Sequence, residues 1–168
     1  LYAQSLELWQ FLDQEYGMAS CFNNMGLVAE ALGEKTEARQ LYADALKAFE
    51  VLGHRYGMAS CLNNLGNVAA SLEGHGQARQ YYQQALELRE ILGDQRGIAS
   101  VLNNLGRVAD ILEQYTVSRE HFINALETGW QNHAIPVVLD SLLGLAELSL
   151  HSGAQAEAVS LLSLGVNH

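Results

Sequence analysis

The sequence predicts an all-α fold, an α-α superhelical solenoid of antiparallel helix pairs, and three observations carry that reading. The stretch Gly57 to Arg96, GMASCLNNLGNVAASLEGHGQARQYYQQALELREILGDQR, is preceded by a close copy from Gly17 to Tyr56 and followed by a third that opens at Gly97. The register never slips: Asn23, Asn63 and Asn103 lie 40 residues apart, as do Gly26, Gly66 and Gly106. Self-similarity at a fixed period of this size marks stacked units that bury their apolar faces on one another. Finally, a glycine or polar stop divides each copy into two segments of helical length, as at Gly33-Glu34-Lys35 and Glu73-Gly74-His75, and such stops suit tight helix–helix turns.

The elements follow in order. Leu1 to Tyr16, LYAQSLELWQFLDQEY, aligns with Leu41 to Tyr56. It reads as the second helix (helix B) of a repeat whose first helix (helix A) is missing, so the chain is expected to be a fragment of a longer protein. Leu1, Tyr2, Ser5, Leu6, Leu8, Trp9 and Leu12 give its expected helix, Leu1 to Leu12, a wide apolar face. Three full repeats, 17–56, 57–96 and 97–136, follow within a single array spanning 1–168. Their A helices are expected near Met18–Leu32, Met58–Leu72 and Ile98–Leu112, and their B helices near Thr36–Leu52, Gly76–Leu92 and Thr116–Gln131. Gly53 and Gly93 sit where a left-handed C-terminal cap favours glycine, and Asp94 is placed to cap the next A helix. After Leu126 the third copy departs from the pattern, and the chain's one proline, Pro136, falls where the first turn of another helix tolerates it. A divergent fourth unit, 137–168, keeps the register through Ala146, Gly153 and Ala158, and ends in the apolar run Leu161 to Val166.

Within the central copy, Leu62, Leu65, Gly66 and Ala69 reproduce the spacing W-x2-L-G-x2-Y with smaller residues at both ends, and Ala78 and Tyr82 reproduce A-x3-F. These positions resemble a tetratricopeptide repeat (TPR), in a form about six residues longer than the common 34 and without its usual terminal proline. Long repeats carrying such Asn-rich strings on helix A are similar to those of kinesin light chains, Pins-type spindle-orientation adaptors and the sensor arrays of bacterial transcriptional regulators and signalling NTPases. The resemblance implies a superhelix whose A helices line a concave groove.

Composition bounds the function. The 168 residues are 49% hydrophobic with mean hydropathy near zero, enough for a continuous core. No apolar run is long enough to span a membrane. With nine Lys and Arg against nineteen Asp and Glu, a formal net charge of −10 leaves no basic footprint for a phosphate backbone, so nucleic acid is not expected as a direct partner. Cys21 and Cys61 occupy one repeat position, where the third copy has Val101; the apolar alternate predicts buried, unpaired thiols and a reducing, cytoplasmic location.

The candidate binding residues share one face of each A helix at i, i+3, i+4 and i+7. They are Ser20, Asn23, Asn24 and Leu27 in the first copy, Ser60, Asn63, Asn64 and Asn67 in the second, and Ser100, Asn103, Asn104 and Arg107 in the third. A carboxamide offers an acceptor and two donors, so an Asn can bridge the C=O and N–H of an extended peptide whatever its sequence. Asn24, Asn64 and Asn104 are the expected peptide contacts, whereas Asn23, Asn63 and Asn103 serve equally well to join neighbouring helices. Specificity would come from Leu27, Asn67 and Arg107, with Arg107 able to grip a carboxylate bidentately. The six histidines do not recur at one repeat position, and no phosphate loop or nucleophile elbow is present, so neither metal, cofactor nor catalysis is expected. The sequence therefore predicts a non-enzymatic protein-interaction module that binds an extended peptide or partner helix within a larger signalling or adaptor protein. A ligand-sensing regulatory array and a structural spacer are the alternatives, and the apolar faces at both ends invite self-association.

Overall fold

A computed structural model describes residues 2–151 and 153, giving the backbone alone for residues 2–13. The described residues form seven helices and no strand: α1 (Tyr2–Ala31), α2 (Lys35–Val51), α3 (Arg55–Ser71), α4 (His75–Leu92), α5 (Gln95–Ile111), α6 (Tyr115–Gln131) and α7 (Ile135–His151). They fall into two compact units, 1–88 and 89–168, each described below by itself. The second helix expected in the fourth repeat, with Ala158 and Leu161 to Val166, lies outside the described residues, as do the side chains of the apolar face expected on Leu1 to Leu12.

The turns are set by residues that tolerate left-handed backbone. Gly53 and Gly93 have φ of 63° and 66°, and their N–H groups donate to Glu50 and Glu90 while those of His54 and Asp94 reach back to Phe49 and Arg89. This pairing satisfies the last helical carbonyls. Asp94 caps α5 by accepting from the Gly97 N–H at 3.0 Å. His54, unremarked in the sequence, does the same for α3 through Nδ1, also at 3.0 Å. Pro136 stands in the first turn of α7.

One expectation is corrected. The sequence places a turn between an orphan helix ending at Leu12 and an A helix beginning at Met18, yet α1 runs unbroken for 30 residues. The cause is local: where the later copies have Gly53 and Gly93, the first has Asp13, and without glycine the left-handed stop is costly.

In the first unit, the repeat glycines make room for aromatic rings rather than for backbone contact. A Cβ on Gly26 would come within 2.6 Å of the Tyr42 ring, and one on Gly66 would collide with Tyr82. Tyr42 joins Ala29, Ala38, Leu65 and Val68 in one buried cluster, and Phe49 joins Ala19, Ala45 and Cys61 in another. Each cluster ties α1 and α2 to α3, so a helix B is held between its own A helix and the next. Burying a Tyr- or Phe-sized side chain fully contributes roughly 1.5–3 kcal/mol. The second unit repeats the device, with Phe122 held between Gly106 of α5 and Gly144 of α7.

Candidate functional site

The A-helix face gathers its polar residues most closely between α1 and α3. Ser20, Asn23 and Asn24 of α1 and Ser60 of α3 line one cavity of about 250 Å³ with Tyr16, Phe49, His54, Tyr56 and Gly57. The rings of Tyr16, Phe49 and His54 stack edge-to-face or tilted, with centroids 5.0–5.9 Å apart, forming an aromatic floor. Among its lining residues, no side chain is a carboxylate or a permanent cation. The lining offers carboxamide and hydroxyl groups, which recognise neutral hydrogen-bonding partners such as peptide units.

The paired asparagines divide their work. Asn64 Nδ2 donates to Asn23 Oδ1 at 3.2 Å, and the Cys61 thiol approaches the same oxygen at 3.6 Å. In the second unit Asn103, 2% exposed, donates through Nδ2 to the Val137 carbonyl at 3.1 Å and accepts from the Ser141 hydroxyl at 2.8 Å. Asn23 and Asn103 thus bond between neighbouring A helices, and Asn64 contributes one donor to that ladder. Asn24 is exposed, while Asn63 and Asn104 are half-buried. Ser60 Oγ donates to the Tyr56 carbonyl at 3.0 Å, and Ser100 is exposed.

The three variable positions differ in what already engages them. Leu27 is 47% exposed. Asn67 Oδ1 accepts from the Tyr82 hydroxyl at 2.8 Å, the counterpart of Tyr42 donating to Glu30 at 2.8 Å. Burial first, then that hydrogen bond and the Glu30 charge, push the Tyr42 hydroxyl well above the usual phenol range. Arg107 already holds carboxylates: Asp140 at 3.1 Å and Glu147 at 3.9 Å, both from α7. Those pairs are solvent-exposed, and such pairs are worth about 0–1 kcal/mol.

Two features escaped sequence reasoning. Cys61 is buried as expected, but Cys21 is exposed, because no described helix covers α1 on that side. In the second unit, α6 and α7 enclose an apolar groove of about 370 Å³ around Leu126, Trp130, Ile135, Val138, Leu139 and Leu142. Its signal was available: Trp130 and Ile135 stand where the second copy has Glu90 and Gln95. Among the described residues, no three His, Cys, Asp or Glu side chains converge as metal ligands, and no helix is long and apolar enough to cross a membrane.

The tetratricopeptide repeat family model matches residues 22–91 and again 57–128, together more than half of the chain. The chain belongs to the tetratricopeptide repeat family. It is accordingly a TPR helical-repeat module of the protein-interaction type, a kind of scaffold that is in general non-catalytic. Among solved structures, the TPR chain is similar to BtubC (BKLC) from P. vanneervenii at 20% identity and a TM-score of 0.79, covering 89% of this chain and 62% of that one. It is also similar to RapI in its apo form, at 18% identity and a TM-score of 0.80, covering 90% and 42%. A Rap protein complexed with Competence and Sporulation Factor matches at 16% identity and a TM-score of 0.84, covering 91% and 43%. At these identities the likeness shows the fold alone. The TPR chain spans less than two thirds of each of these proteins. No curated protein sequence matches it significantly.

Proposed function

We propose that this TPR module binds an extended peptide along its A-helix face, as a non-enzymatic part of a larger cytoplasmic signalling or adaptor protein. The observation that carries the reading is the α1–α3 cavity, where four of the residues expected from the sequence, Ser20, Asn23, Asn24 and Ser60, meet around one hydrogen-bonding space. Asn24 is the principal contact there, because Asn23 and Asn64 already bond to each other. Taken by itself, α5 of the second unit carries Ser100, Asn104 and Arg107 at the matching repeat positions, and Arg107 would take a peptide carboxylate in exchange for Asp140.

The test is selection of a random peptide library on the whole chain, followed by titration of the selected peptides against Asn24→Ala. A lost hydrogen bond is worth about 0.5–1.5 kcal/mol, so affinity should fall roughly 2- to 10-fold, with circular dichroism unchanged. If nothing is selected, or Asn24→Ala and Asn104→Ala together leave affinity intact, the reading fails and a spacer role gains. A second reading, a ligand-sensing regulatory array, draws support from the Rap protein that was solved with Competence and Sporulation Factor. In that case the bound ligand should change the chain's hydrodynamic radius.

A further inference from the structure

The groove between α1 and α2 is built like an interface, and no described helix lies on it. Met25, Val28 and Leu32 are 53%, 60% and 70% exposed, and with Ala29 and Leu41 they line an open groove of about 320 Å³ rimmed by Glu34, Glu37 and Asn24, whose carboxamide lies between this groove and the α1–α3 cavity. One repeat later, Leu65 and Val68 occupy the positions of Met25 and Val28, are 3% and 0% exposed, and are covered by Ala38 and Tyr42 of α2. The element that closes this kind of face is therefore a helix B of this very repeat. Ahead of this face the chain carries a helix B sequence, Leu1 to Leu12, with Tyr2, Leu6 and Trp9 at the positions of Tyr42, Leu46 and Phe49.

That segment cannot close the groove of its own chain. From Tyr2 on it is about the first third of the unbroken α1, and at about 1.5 Å per residue Leu12 stands roughly 20 Å along the axis from Met25. We propose that it closes the groove of a second copy, in a reciprocal domain-swapped dimer. The register is symmetric, as a two-fold interface requires. In the established packing, Tyr42 shares a cluster with Val68 and Phe49 with Cys61. Forty residues earlier the same register sets position 2 against 28 and position 9 against 21, which is centred on residue 15. Two antiparallel α1 helices crossing at that residue satisfy both copies at once. Asp13, in place of the glycine that turns the later repeats, keeps α1 extended and favours exchange over closure within one chain.

Sedimentation of the whole chain should give a species of twice the 18.4 kDa monomer that dissociates on dilution, and Asp13→Gly should shift it toward monomer. Cross-linking tests the register without relying on that substitution. Trp9→Cys, mildly oxidised, should bond to the exposed Cys21 and give a covalent dimer on a non-reducing gel, a band that the added Cys21→Ser abolishes. A covalent monomer would mean that the segment folds back within one chain. That result, the absence of both bands, a parent chain that stays monomeric, or an Asp13→Gly variant as dimeric as the parent would each overturn the proposal.

Discussion

The first two repeats share the string GMASC and nearly the same helix A, yet one buries that helix and the other does not. Cys21 is exposed and Cys61 fully buried; Met25 is 53% exposed and Leu65 3%, Val28 60% and Val68 0%. What differs is the neighbour. Helix α3 has α2 packed on it, whereas the corresponding face of α1 has no described helix against it. In a repeat array, stability divides into terms intrinsic to a repeat and terms for its interfaces, and here one sequence displays the first with and without the second.

The largest expected break in that comparison is truncation at the matched apolar position. Leu65→Ala should cost about 2–5 kcal/mol, the range for a buried Leu. Met25→Ala should cost about 0.5 kcal/mol or less, as at an exposed site, when urea unfolding is followed at concentrations too dilute for association. Equal costs for the two would show that the first face is covered even in the single chain.

A smaller effect, of opposite sign in the two repeats, is expected from glycine. A Cβ on Gly57 would lie 2.6 Å from the Phe49 ring, whereas one on Gly17 would meet nothing within 4 Å. Gly57→Ala should therefore lower stability by about 1–3 kcal/mol through overpacking. Gly17→Ala, inside helix α1, should raise the stability of the single chain by up to about 1 kcal/mol through helix propensity. Thermal melts of the two variants, at concentrations too dilute for association, read both signs directly.

The smallest effect is chemical. Burial lifts the Cys61 thiol from 9.0 to about 12, so at concentrations too dilute for association it should resist a thiol reagent that modifies Cys21 in the folded chain, and react only on unfolding. Because the folded thiol holds its proton longer, its contribution to stability is complete below pH 9.0 and declines as pH rises toward about 12; the unfolded chain loses its proton first. Cys61→Ala should flatten that part of an alkaline stability curve. If Cys61 proves as reactive as Cys21, the two repeats are not packed differently at this position.

Much of this molecule was legible in its residues. The period of 40, the helix pairs, the caps at Gly53, Gly93 and Asp94, and the shared face of Ser20, Asn24 and Ser60 follow from spacing, because backbone turns and helical periodicity are local properties. The extension of α1 is local too, since Asp13 stands where the later repeats have a turn glycine, but the repeat pattern hid it. Tertiary structure decided the rest. With no described helix over α1 there, Cys21 is exposed in spite of its repeat position. Asn23 and Asn103 become ties between helices while Asn24 stays exposed, and Arg107 is matched with Asp140, 33 residues away. A repeat's sequence determines the surface it offers; burial and pairing are properties of two surfaces, so they depend on which neighbour arrives.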